Sequence, residues 1–336
     1  MHVTAPSHPP LYRTLFREAL STAWHHPHLW LLAFFAALLQ TGGIYDALLQ
    51  SFRDLGGVAV QQLQGSSLTQ GLFSWAIQPM SEIGKSLGIL GSLGRIEGLL
   101  LALVLLGIAS GASVIAQGGL IYGLGIRLRG SVPPLATCLS IGGRYFWKIA
   151  GLNLITLGLI AAFRVLVLIP FSTPLAQTSA WTIVGSLLAY FFYIFAVITL
   201  TAVHLFGLNS IVLQRYSLTE SVLRGFAQAK QAWLVILELG LGFFLLGTAL
   251  FFGLTALYVI AGIPLLILTL SAALLNAGLA ATILSGVFYV GALLAFILLG
   301  SFATTVQFAA WQGLSIRVAQ GNALAKIHRL FTRPKR

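Results

Sequence analysis

Six stretches of this chain are long and apolar enough to leave water. They run over about 29–50, 98–123, 148–170, 182–212, 233–258 and 284–312. A helix needs about 20 mainly apolar residues to cross a bilayer's hydrocarbon, because each residue adds only about 1.5 Å of rise. Inside lipid every backbone N–H and C=O must be paired, and a helix pairs its own. The pattern predicts an all-α, polytopic transmembrane helix bundle of six spans. The fourth and sixth runs exceed the minimum, so they are expected to tilt or protrude. Of the 336 residues 58% are hydrophobic and 8% are charged, where a soluble domain carries about 25% charged residues. No segment has soluble-domain composition, so residues 1–336 read as a single integral membrane domain.

The first apolar run begins near Leu29, after a long polar start, and it exceeds the apolar core of a signal peptide. It reads as a true span. Lys and Arg are retained in cytoplasmic loops. With the N-terminus inside, the inner segments hold Arg13 and Arg17, then Arg127, Arg129, Arg144 and Lys148. They also hold Arg215, Arg224 and Lys230, and finally Arg317, Lys326, Arg329, Arg333, Lys335 and Arg336. Those are 15 of the 19 basic residues. The outer segments hold Arg53, Lys85 and Arg95, and Arg164 lies within a span. Both ends are therefore expected to be cytoplasmic. Trp30, Trp147, Trp181 and Trp233 stand at or beside span starts and Trp311 at a span end, the level that indole rings favour.

The net charge of +12 falls in short clusters between apolar runs rather than on a soluble face. That placement speaks against nucleic acid. It favours membrane lipids as partners, through anionic headgroups at the cytoplasmic surface. The single cysteine, Cys138, rules out an intramolecular disulfide and a multi-cysteine zinc site.

Residues 233–311 are almost continuously apolar. Pro264 in Gly262-Ile263-Pro264 predicts a helix break. Residues 262–283 then read as a re-entrant segment, an interfacial segment or an extra span. An extra span would put the basic tail, 317–336, outside, so six is preferred.

A weak threefold internal repeat runs through the chain. Three cytoplasmic segments are amphipathic, meet an aromatic residue and enter the membrane: 11–24, 134–148 and 217–233. In the first, Leu11, Tyr12, Leu15, Phe16, Ala19, Leu20, Ala23 and Trp24 share one helical face. Spans two, four and six end alike, from Gly119, Gly207 and Gly313, each Gly-Leu followed by aliphatic residues and Arg. The third copy is wrapped, with the end of the chain paired to its start. These amphipathic interfacial helices bury their apolar face either at the headgroup boundary or against loops of the same protein. Residues 51–97 form the largest outer segment, read as short helices on the outer surface.

The segment from Asn209 to Gly240, NSIVLQRYSLTESVLRGFAQAKQAWLVILELG, resembles a pattern in uncharacterised bacterial six-span proteins. Among them is the membrane domain fused to some glycerophosphodiester phosphodiesterases. Glu220-Ser221-Val222-Leu223-Arg224 occupies the helix part of that pattern, and Gln214 stands where the group often has an acidic residue. The resemblance implies a fold and a bacterial plasma (inner) membrane location. It implies no phosphodiesterase activity, since no soluble catalytic domain accompanies it.

Ionisable residues inside spans are costly and invite a role. Asp46 and Arg164 lie at matching depth, about 24 Å or more from the inner end of their spans by helical rise. They read as an ion pair, and Arg164 alternatively snorkels outward. Glu238 sits about 8 Å in from the inner side. Gln117, Asn153, His204, Asn209 and Gln307 fall at a similar level. They read either as a polar cavity open to the cytoplasm or as interhelical hydrogen bonds. The cluster His25-His26-Pro27-His28 lacks a neighbouring acid or cysteine, so no metal is expected. The spacings Gly107-x-x-x-Gly111 and Gly119-x-x-x-Gly123 suit close helix packing. There is no P-loop, GxSxG elbow or HExxH. No cofactor is expected, and a non-enzymatic protein acting by partner assembly or lipid organisation is the primary reading. A transporter or permease for a lipid or small solute is the alternative.

Overall fold

The structure is a computed structural model and describes residues 11–39, 95–128, 130–131, 133–168, 180–275 and 278–320. Among the described residues the fold is all-helical, with no strand. The helices are α1 (Leu11–His25), α2 (His28–Leu39), α3 (Arg95–Arg127), α4 (Leu135–Arg144), α5 (Phe146–Leu168), α6 (Ala180–Gln214), α7 (Leu218–Gln231), α8 (Trp233–Leu274) and α9 (Gly278–Ala319). The chain divides into two compact units. One comprises Met1–Tyr45 with Ser113–Arg336, the other Asp46–Ala112. In the smaller unit the described residues, 95–112, form the first part of α3.

Five helical segments are long and apolar enough to cross a membrane: Val104–Arg127, Phe146–Leu166, Phe191–Gln214, Trp233–Leu250 and Gly286–Ala319. They correspond to the second through sixth runs of the sequence. The described part of the first run is α2, an apolar helix of 12 residues. Residues 40–50, the outer segment as far as residue 94 and the tail beyond residue 320 lie outside the described residues.

In the larger unit, α6 is the central helix. Residues 200–212 are all buried, and α6 packs against α5, α7, α8 and α9. α9 reaches across to α1 and α2. Phe206, Phe243 and Trp311 join α6, α8 and α9, with ring centroids 6.3 and 6.4 Å from the indole. The outward faces remain apolar: Leu154, Val165, Phe192, Leu245, Leu257, Ile260 and Val287 are all exposed. So continuous an apolar surface is unsuited to water and suited to lipid tails.

The expected break at Gly262–Pro264 does not occur. α8 runs unbroken through Pro264 for 42 residues. A proline removes one backbone bond, and helices inside membranes tolerate that where neighbouring helices and local adjustment compensate. Here α8 packs against α9. Residues 262–274 thus continue α8, Leu275 lies in a turn, and α9 begins at Gly278.

Among the described residues the three amphipathic helices pack on long apolar helices, α4 and α7 of them through small residues. Cys138 and Gly142 are the buried positions of α4, and Ser221, Gly225 and Ala229 those of α7. A methyl group built on Gly119 of α3 would lie 2.9 Å from the carbonyl oxygen of Cys138. One on Gly225 would lie 2.7 Å from the carbonyl oxygen of Val203 on α6. On α1 the buried stripe is Leu15, Ala19 and Ala23, and Leu15 meets Gly313 of α9. Small side chains let two helix backbones touch, which is the main route to tight packing where lipid provides no hydrophobic drive between helices. α7 opens with a capping box, in which Ser217 and Glu220 satisfy each other's backbone N–H groups.

Candidate functional site

The polar residues of the spans sit inside the larger unit and pair across helices. Asn153 of α5 donates to Gln117 Oε1 of α3 at 2.8 Å. Gln117 Nε2 and Ser113 Oγ both donate to the carbonyl of Ala36 on α2, at 3.4 and 3.3 Å. Four residues C-terminal to Gln117, the carbonyl of Ile121 accepts from Gln312 Nε2 of α9 at 2.9 Å. Asn209 of α6 donates to Ser315 of α9 at 3.0 Å, and Ser315 donates on to Gln228 of α7 at 3.4 Å. All of these side chains except Gln228 are buried. Most of these buried groups thereby replace the water they lost, as low dielectric demands, while Gln312 Oε1 has no hydrogen-bond partner among the described residues.

His204 is fully buried on α6. Its Nδ1 lies 3.1 Å from the Thr156 hydroxyl of α5. That hydroxyl donates to the carbonyl of Leu152 at 2.9 Å, so it accepts from an Nδ1–H, leaving Nε2 as a buried acceptor with no hydrogen bond. Gln307 is 7% exposed on α9. Glu238 and His204 do not form one titratable pair: Glu238 accepts from the Tyr12 hydroxyl of α1. Arg317 of α9 also holds α1, with bonds to Thr14 at 2.7 Å and to Glu18 at 3.0 Å. Arg164 is half-buried on α5, and Asp46, its expected partner, lies outside the described residues.

Sequence reasoning did not single out Ser113, Thr156, Gln228, Gln312 or Ser315. Thr156 stands three residues after Asn153, on the same helix face, and that spacing is the one signal available for it. His25 Nδ1 turns back to the carbonyl of Ser21 at 2.8 Å, while the His26 and His28 rings meet edge-on at 5.7 Å. Burial, and then the nearby Arg127 and His28 charges, hold His26 below the usual histidine value. Among the described residues no group of three or more His, Cys, Asp or Glu is placed to hold a metal ion. A groove between α1, α3 and α9, lined by Leu15, Glu18, Ala19, Leu124, Ala309 and Gly313, encloses about 10 Å³, room for a single water molecule.

The outward sides of the amphipathic helices carry a different set. Leu20 and Trp24 on α1, Leu139 on α4, and Leu223 and Phe226 on α7 are exposed. So are Arg13, Arg17, Arg144, Arg224 and Lys230. Beside them Trp147 is 83% exposed and Trp233 59% exposed. The chain thus has the apolar helices and outward surface of a multi-pass helical membrane protein. Comparison with protein-family models, with curated proteins and with solved structures finds no match.

Proposed function

We propose that this is a non-enzymatic integral membrane protein that gathers anionic lipid at the cytoplasmic face of a plasma membrane. In this reading it has six spans, with the run 29–50 as the first, and both ends lie inside. It belongs with the bacterial six-span proteins that its 209–240 segment resembles. The observation that carries the reading is the shared design of α1, α4 and α7. Each packs a buried stripe on a long apolar helix and turns apolar and basic side chains outward, beside exposed indoles. Exposed leucines beside arginines suit the headgroup boundary, where apolar area and attraction to acidic lipid add together. The pairing of buried amides with one another supports a structural rather than a transport role for the inner polar residues.

The same helices support a threefold unit. Leu15, Cys138 and Ser221 face the region of Gly313, Gly119 and Gly207, and Ala19, Gly142 and Gly225 follow four residues later in each. Three copies of one unit would repeat one lipid-facing surface around the inner rim. The test is reconstitution of the full chain into phosphatidylcholine vesicles with and without 30% phosphatidylglycerol. Energy transfer from tryptophan to a trace of headgroup-labelled phosphatidylglycerol is read against labelled phosphatidylcholine. Preferential transfer that falls with added salt is expected. Equal transfer to both lipids would refute the proposal.

A further inference from the structure

We propose that Lys148, Arg215 and Arg224, gathered about Tyr216 at the turn between α6 and α7, bind the phosphate of an acidic phospholipid headgroup. The proposal deepens the lipid-gathering reading and rests on it.

Tyr216 joins the three cations. The Arg224 guanidinium stacks over its ring, 3.6 Å from the centroid. Lys148 Nζ donates to its carbonyl oxygen at 3.1 Å and also lies 5.8 Å from the Tyr145 ring. Arg215 precedes it, exposed, with a backbone φ of 64°. That left-handed conformation is costly for an arginine, and such strain is retained where surrounding structure or a function holds it. Gly151 on α5, one turn from Lys148, meets Leu218 at the start of α7, which fixes Lys148 beside the turn.

Cations outnumber acids around this turn. Glu220 is the one acidic residue between Glu97 and Glu238, and its carboxylate is committed to the Ser217 N–H and hydroxyl at 3.2 and 3.1 Å. Among the described residues no carboxylate pairs with Lys148, Arg215 or Arg224. Trp147 adjoins Lys148 and is 83% exposed, so the cluster stands where indoles place themselves, at headgroup depth. A planar guanidinium held by stacking and an ammonium tethered to a carbonyl are both pre-positioned donors for phosphate oxygens. A lipid phosphate arrives at this depth already concentrated by its membrane.

The test titrates dioctanoyl phosphatidylglycerol into the full chain in a neutral detergent, by calorimetry. K148Q/R224Q removes two cations from the cluster, and R53Q/K85Q removes two from the segment 51–97. An affinity loss of about tenfold is expected for the first pair and less than about twofold for the second. Equal losses in both would overturn the site while leaving diffuse lipid attraction standing. No binding by the unaltered chain would overturn both readings. Competition by millimolar inorganic phosphate would assign the site to soluble phosphate and overturn the lipid proposal. R215Q alters only an exposed side chain and keeps the test decisive if the double variant does not fold: it is expected to lower affinity by about threefold, and an unchanged affinity would overturn the proposal.

Discussion

Gly225 of α7 lies so close to Val203 of α6 that a methyl group on it would stand 2.7 Å from the Val203 carbonyl oxygen. The neighbour is backbone and cannot swing aside. G225A is therefore expected to destabilise the protein by about 1–3 kcal/mol, the usual cost of overpacking. Gly242 on α8 has no atom within 4 Å of the same position, so G242A is expected to be neutral or stabilising by about 0.5–1 kcal/mol. Thermal unfolding of both variants in one detergent checks the pair, and similar midpoints for the two would contradict the packing described.

Asn153 and Gln117 are coupled through a 2.8 Å bond between buried side chains. Interhelical bonds in membranes average about 0.6 kcal/mol and reach about 1.7. The separate costs of N153L and Q117L are expected to sum to more than the cost of the double variant, because each alone removes the shared bond and the double variant removes it only once. The coupling energy from the four-variant cycle should lie near 1 kcal/mol. A coupling of zero would mean that the two side chains are satisfied separately.

Burial pushes the Cys138 thiol above the usual thiol value. The folded state then holds the thiol proton more tightly than the unfolded state does. Its contribution is complete below the ordinary thiol value of about 8.5 and is lost as pH rises through the folded one. Unfolding midpoints measured from pH 7 to pH 10 should fall more steeply in the parent than in C138A. Maleimide should label the native chain slowly and the detergent-denatured chain fast.

α8 and α9 each contain 42 residues and so rise about 63 Å, against about 30 Å of hydrocarbon. A tilt of about 40° still leaves about 48 Å along the membrane normal. Thicker bilayers cover more of the exposed apolar residues along the hairpin, such as Leu257, Ile260, Val287 and Val290. Reconstitution in lipids of increasing acyl length is expected to raise resistance to unfolding steadily. A maximum at ordinary chain length would show that the hairpin end is covered by other means.

Much of this architecture was legible in the sequence because lipid imposes a simple demand. Runs of about 20 apolar residues must become helices, and the second through sixth did. Pro264 misled because a single missing backbone bond weighs little inside a long helix packed on a neighbour. The partners in the polar layer were harder to find. Asn153 and Gln117 stand out as amides in apolar runs, yet nothing in either helix specifies that they meet. Thr156 and Ser315 look neutral, because hydroxyls in spans commonly bond their own helix. Gly142 and Gly225 look like ordinary glycines in short helices, and their importance comes from the backbone carbonyls of Ile115 and Val203, distant in the chain.

The backbone contacts of Gly119 and Gly225 have a mechanical meaning. A surface helix held by long side chains can peel from its support one rotamer at a time. α4 and α7 are riveted instead, main chain on main chain, with no slack to take up. A pull on either from a lipid or a partner would travel into α3 or α6 as a displacement of the whole rod. α4 and α7 are thus built to move with α3 and α6 rather than over them.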